Sequence, residues 1–362
     1  CVNEPKTNLN FNCDPMANYL IDQGFDTAEL RLAACDRVLN DQQCDYEKFG
    51  VHLITGPIQP ENYTRAQTLG LGWKMEVIVS DTPEMVTAMA DSVNSFNGKT
   101  VFRFCNADQG NPGSKVQDQS CDFRTEITKS PTNSGKKAAE MILKVAEKTN
   151  KAFLVAPINE PVSEHWFGGD LNNDDNPTTM KDASEFYTAF AEVLNANQTL
   201  RNKIEIGGPT YNVTAFGNYS NFEKFHSEFT AKALVDYWTV NIYNHDDLPP
   251  AINKIEVQFE HVKSVFNDSK LIGINETGDF QHNILRLRDS FAIIGPDPRL
   301  KYALLFNAFG GWGDMRGEPL ILNDVEIRNI LSDNGVCEDT EEPICYEDPT
   351  GGGGNLVANP LP

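Results

Sequence analysis

The chain of 362 residues contains no run of about 18 apolar residues, so no helix that would cross a bilayer is expected. Basic residues are scarce: 30 Lys and Arg stand against 52 Asp and Glu, a formal net charge of −22. A surface of that sign repels phosphate backbones and anionic headgroups, which excludes nucleic acid and membrane surfaces as partners. The acidity otherwise reads as solubility. No C-x-x-C spacing occurs, which argues against zinc. G-x-G-x-x-G, G-x-x-x-x-G-K and the G-x-S-x-G nucleophile elbow are all absent, so neither a phosphate cradle nor a serine hydrolase is signalled. The stretch from Asp170 begins with the spacing of a calcium loop. It lacks glycine at the sixth position and has Lys181 where the twelfth calls for Glu. No metal and no cofactor are expected.

Cysteine is present in a telling pattern. Cys1, Cys13, Cys35, Cys44, Cys105, Cys121, Cys337 and Cys345 fall as sequence neighbours in segments rich in Asn, Asp, Gly and Pro. This spacing predicts disulfides 1–13, 35–44, 105–121 and 337–345 in an oxidising compartment. Sequons begin at Asn62, Asn197, Asn212, Asn218, Asn267 and Asn275. The expectation is a secreted, extracellular protein. A lipid anchor on Cys1 is the competing reading, and it would leave an odd thiol.

Hydrophobic residues make up 40% and charged residues 23%, an ordinary globular composition. After an irregular cysteine-bearing segment, 1–45, apolar strands alternate with amphipathic helices. The strand candidates are 50–55, 73–79, 100–104, 152–157, 203–206, 237–243, 270–274 and 304–309. Thr82 followed by Pro83 marks a helix start. Eight such repeats suit a (β/α)8 TIM barrel over 46–330. The expected fold class is α/β, this barrel carrying disulfide-bearing N- and C-terminal extensions. Residues 331–362 form a cysteine loop and a tail through Gly351–Gly354, a segment suited to packing on the barrel or on a neighbouring molecule as a self-association contact.

In such a barrel catalytic groups stand where strands end, on the C-terminal face. Strand four ends in Asn159-Glu160-Pro161, and strand seven in Asn275-Glu276-Thr277-Gly278. The tripeptide alone means little, because Asn3-Glu4-Pro5 repeats it in an irregular terminus. Two glutamates in register with strands four and seven carry the weight. Retaining glycoside hydrolysis needs two carboxyl groups about 5–5.5 Å apart, one protonated and one ionised.

This arrangement resembles glycoside hydrolase clan A, over roughly residues 50–315. The resemblance implies Glu160 as acid/base, Glu276 as nucleophile and Asn159 on the sugar 2-hydroxyl. It further implies Tyr243 as partner of the nucleophile, Trp312 as an aromatic floor under the reacting sugar and Arg103 as a positioning arginine. A sequon heads at Asn275, and a glycan beside the nucleophile would block the cleft, so Asn275 is predicted unglycosylated. Trp166, in a polar loop after Glu160, could stack on a pyranose ring or belong to the core. His165 and His52 are hydrogen-bonding candidates at the mouth. Two functions follow. One is a retaining β-glycosidase acting on an extracellular polysaccharide or oligosaccharide. The other is a non-catalytic carbohydrate-binding or assembly protein on the same fold.

Overall fold

The computed structural model describes residues 43–53, 60–105, 130–162, 166, 179–214, 217–310 and 320–338. Eight parallel strands close on themselves: β1 (Gln43–Leu53), β2 (Leu71–Ile78), β3 (Lys99–Phe104), β4 (Phe153–Val155), β5 (Ile204–Asn212), β6 (Tyr237–Asn241), β7 (Ile272–Thr277) and β8 (Leu300–Phe306). β1 pairs with both β2 and β8, which shuts the barrel. All eight predicted strands are found in the predicted order, with boundaries shifted by up to seven residues.

The described helices between strands are α1 (Pro60–Thr68), α2 (Pro83–Ser95), α3 (Pro131–Lys148), α4 (Met180–Asn195), the short α5 (Gln198–Arg201), α6 (Ser220–Glu228), α7 (Ile255–Val265) and α8 (Ile284–Ile294). α9 (Asp324–Leu331) follows β8. α2 starts as its sequence dictates: the Thr82 hydroxyl accepts the Met85 N–H, and Pro83 occupies the first turn, where no amide hydrogen is needed. None of the described helices is long and apolar enough to cross a membrane.

Strand alternation divides the core into two parts. Val51, Phe102, Phe153, Ile206, Val240 and Ile274 face the helices in the large outer cluster. Trp73, Met75, Val101, Leu154, Tyr237, Tyr302 and Leu304 fill the barrel interior. The fit inside is tight at Gly273, where a Cβ would lie 2.4 Å from the Tyr302 ring. Any side chain there would displace the tyrosine that braces the floor of the mouth.

The expectation of disulfide-bearing terminal extensions is corrected. None of the predicted pairings 1–13, 35–44, 105–121 and 337–345 joins two of the described residues. A ninth strand, β9 (Val336–Glu338), pairs antiparallel with the start of β1 and sets Cys337 opposite Cys44. The backbone ladder thus ties the two ends together, and each of these cysteines sits in a strand. Cys105 is buried at the end of β3 and is not a free thiol. Cys1, Cys13, Cys35, Cys121, Cys345 and the glycine-rich tail lie outside the described residues, as does most of the stretch with calcium-loop spacing.

Candidate active site

The C-terminal rim gathers polar side chains from six strands. His52 comes from β1, Arg103 from β3, Asn212 from β5, Asn241 from β6 and Glu276 from β7, with Asn159 and Glu160 just past β4. Tyr243 follows two residues after β6. Inward alternation explains His52, Arg103 and Asn241, each flanked by residues that face the helices.

Glu276 needs a further device. Asn241 pairs with Glu276 while its predecessor Val240 pairs with Ile274, so β7 carries one extra residue at this level. The same excess is seen against β8, where Ile274 opposes Ala303 and Thr277 opposes Leu305. This bulge re-aims the strand end. Asn275 turns inward, donating to the Thr210 hydroxyl at 2.7 Å and accepting from Tyr302 at 2.7 Å. Glu276, its neighbour, also reaches the mouth.

The Glu276 carboxylate is 6% exposed and held at both oxygens. Arg103 Nη1 donates to Oε1 at 3.0 Å, and the Tyr243 hydroxyl donates to Oε2 at 2.8 Å. Burial, then the negative charge of Glu276, raises the Tyr243 phenol well above its ordinary range, so it remains a donor. His52 Nδ1 lies 3.7 Å from Oε1, beyond hydrogen-bonding distance. Burial, reinforced by the Arg103 charge, pushes the His52 imidazole well below its usual range. The cation at Oε1 is the Arg103 guanidinium.

Glu160 has a different setting. Its backbone adopts φ 39°, a left-handed conformation uncommon for a residue with a side chain, and its N–H is anchored on Thr210 O at 2.9 Å. Its Oε1 accepts from Asn241 Nδ2 at 2.8 Å and from Asn212 Nδ2 at 3.2 Å. Asn241 Nδ2 also donates to Asn159 Oδ1 at 3.1 Å. The two carboxyl groups are thus bridged through β6: Asn241 touches Glu160, and Tyr243 touches Glu276.

The structure brings together Glu160, Glu276, Asn159, Tyr243 and Arg103 from the predicted set. Trp166 is placed otherwise. It is 2% exposed, packs in the outer core and donates its indole N–H to Asn159 O at 2.8 Å. Its ring braces the strand-four loop from behind and does not offer a face to a sugar. His165 and Trp312 lie outside the described residues. Asn212 and Asn241 escaped the sequence reading. They are the last residues of β5 and β6 as found, whereas the predicted strands ended at 206 and 243. Among the described residues no cluster of His, Cys, Asp and Glu is arranged to hold a metal ion.

No protein-family model and no curated protein matches the chain. Among solved structures it is similar to a GH5_18 from Bifidobacterium longum subsp. infantis, at 12% identity over 80% of this chain and 79% of that one, with a TM-score of 0.51. It is also similar to a family 1 β-glucosidase from Thermotoga maritima, at 12% identity over 77% and 86%, TM-score 0.49. A GH128 (subgroup II) endo-β-1,3-glucanase from Sorangium cellulosum aligns at 15% identity over 78% and 97%, TM-score 0.45. At these identities the likeness is one of fold: a (β/α)8 barrel resembling those of several glycoside hydrolase families.

Proposed function

We propose that this protein is a retaining glycoside hydrolase that cleaves β-glycosidic bonds of an extracellular polysaccharide or oligosaccharide. The observation that carries the reading is the contrast between two carboxyl groups on one rim. Glu276 is gripped by a guanidinium and a phenol, donors that stabilise an anion poised to attack. Glu160 is faced by two neutral amides on one oxygen, a setting compatible with carrying and returning a proton.

In the first step a Glu276 oxygen bonds to the anomeric carbon. The bond to the leaving oxygen breaks, and that oxygen takes the proton of Glu160. In the second step Glu160 removes a proton from water, the water oxygen bonds to the anomeric carbon, and Glu276 is released as carboxylate. Asn159, whose Oδ1 accepts from Asn241 Nδ2 beside Glu160, would offer its amide to a sugar hydroxyl. The likeness in fold to a glycoside hydrolase, the GH5_18 from Bifidobacterium longum subsp. infantis, accords with a carbohydrate substrate and does not choose the sugar.

A 2-deoxy-2-fluoro glycoside with a good leaving group tests the reading. The expected result is a stable adduct mapped by mass spectrometry to the peptide containing Glu276. Carbohydrate binding without turnover, no adduct, and unchanged behaviour of Glu160→Gln would instead assign a non-catalytic carbohydrate-binding role.

A further inference from the structure

Glu160 Oε1 receives two N–H groups, from Asn212 at the end of β5 and from Asn241 at the end of β6. An oxygen facing two donors is a poor seat for a proton, since an O–H there would point its hydrogen into theirs. The Asn241 amide is oriented with its nitrogen toward this oxygen. Its Nδ2 lies against two oxygens, Asn159 Oδ1 and Glu160 Oε1, as an amide NH2 facing two acceptors would. The arrangement is rigid: Asn241 is fully buried within the β6 ladder, and the Glu160 backbone is tied to β5.

We propose that Asn212 and Asn241 are positioning residues that confine the proton of Glu160 to Oε2. Oε2 is then the oxygen that gives its proton to the leaving group as the glycosidic bond breaks. It is also the oxygen that takes the proton back from the attacking water, while Oε1 stays acceptor-only throughout. This inference rests on the assignment of Glu160 as acid/base. It adds two residues whose effect is exerted through Glu160.

The experiment compares kcat/KM for 2,4-dinitrophenyl and phenyl β-glycosides of glucose, mannose, xylose and galactose, using the sugar that the wild type turns over. kcat/KM reports the first chemical step alone. Dinitrophenolate departs without a proton, whereas phenolate needs one. Asn212→Ala and Asn241→Leu are expected to change the dinitrophenyl reaction by no more than about threefold and to slow the phenyl reaction by about tenfold or more. Equal losses on both substrates, or no loss on either, would overturn the proposal. Asn212 is partly exposed at the rim, so its variant decides the matter should Asn241→Leu fail to fold by circular dichroism. Glu160→Gln separates the two levels. A steep leaving-group dependence in Glu160→Gln with a flat one in the asparagine variants sinks only the asparagine roles. A flat dependence in Glu160→Gln, or no turnover of any glycoside by the wild type, removes the acid/base assignment and this inference with it.

Discussion

Asn275 and Glu276 are chain neighbours that both turn toward the barrel axis, Asn275 onto Thr210 and Tyr302, Glu276 onto Arg103 and Tyr243. In a regular strand they would face opposite sides of the sheet. The extra residue in β7 makes the pairing possible, and it gives the carboxylate a polar floor fixed by hydrogen bonds.

That floor yields the first prediction. Asn275→Leu keeps the volume but removes one partner from each of the Thr210 and Tyr302 hydroxyls, which retain Thr239 and Tyr237. Each lost hydrogen bond costs about 0.5–1.5 kcal/mol, so urea unfolding should show a loss of stability. The wild-type sequon at Asn275 should carry no glycan when made in a glycosylating host, because the amide is fully buried and already committed. Peptide mapping by mass spectrometry would read the occupancy, and a glycan there would contradict the fold of β7.

Much of the barrel was legible in the chain, and the reason is periodicity. Strands buried on both faces read as apolar runs, and Thr82-Pro83 announces a helix through local chemistry alone. Glu160 and Glu276 were legible because strand ends in this architecture point at the mouth. The bulge that aims Glu276 was not legible, since one extra residue leaves no composition signature and shows itself only against β6 and β8. Asn212 and Asn241 were invisible for a related reason: their importance lies in reaching one oxygen of Glu160 from two strands. Trp166 misled because a polar loop suggested exposure, while its indole had a carbonyl to satisfy in the core. The pairing of β9 with β1 joins residues nearly 300 apart, beyond any local spacing rule.

Outside the barrel wall, Lys74 and Glu76 form a buried ion pair at 2.7 Å, shared with the Ser92 hydroxyl of α2. Lys74 is fully buried, and Glu76 is 3% exposed. Burial lowers the Lys74 ammonium from its usual value, and Glu76 opposes that shift. Lys74→Met should cost about 3–5 kcal/mol by leaving Glu76 buried without its cation. Lys74→Met with Glu76→Leu should recover most of the loss. Chemical denaturation of the two variants decides it: a double variant no better than the single would mean that shape rather than charge dominates the site.

His226 packs edge-on against the stacked Trp238 and Phe266, with ring centroids at 4.8 and 4.7 Å. Burial, assisted by Lys232, lowers its pKa to about 4; Lys270 acts in the same direction and Asp268 against it. His52 is shifted in the same direction. In the unfolded chain each takes a proton near pH 6.5, while the folded protein resists it. The unfolded state therefore binds more protons below pH 6.5, and folding stability should fall as pH drops from 6.5 towards 4. Each histidine contributes a slope of up to about 1.4 kcal/mol per pH unit. Unfolding free energies measured across that range should show a shallower slope in His226→Phe than in the wild type. An unchanged slope would remove His226 from the account.

Tyr243→Phe isolates the grip on Glu276. The ring would keep its contacts with Phe280 and Phe306, at 4.9 and 6.1 Å between centroids, so the fold should be spared. The hydroxyl donation to Oε2 would be lost. A hydrogen bond to a charged group contributes about 1.5–3 kcal/mol, which converts to a fall in kcat/KM of roughly 10- to 150-fold. Arg103→Lys keeps a cation near Oε1 but lacks the planar guanidinium, so its loss should be smaller than that of Arg103→Met. These variants would be read against 2-fluoro glycoside labelling of Glu276. If the phenol and the guanidinium support attack by Glu276, labelling should slow in step with kcat/KM. A drop in kcat/KM with labelling at the wild-type rate would place both residues elsewhere in the reaction and leave Glu276 without its grip.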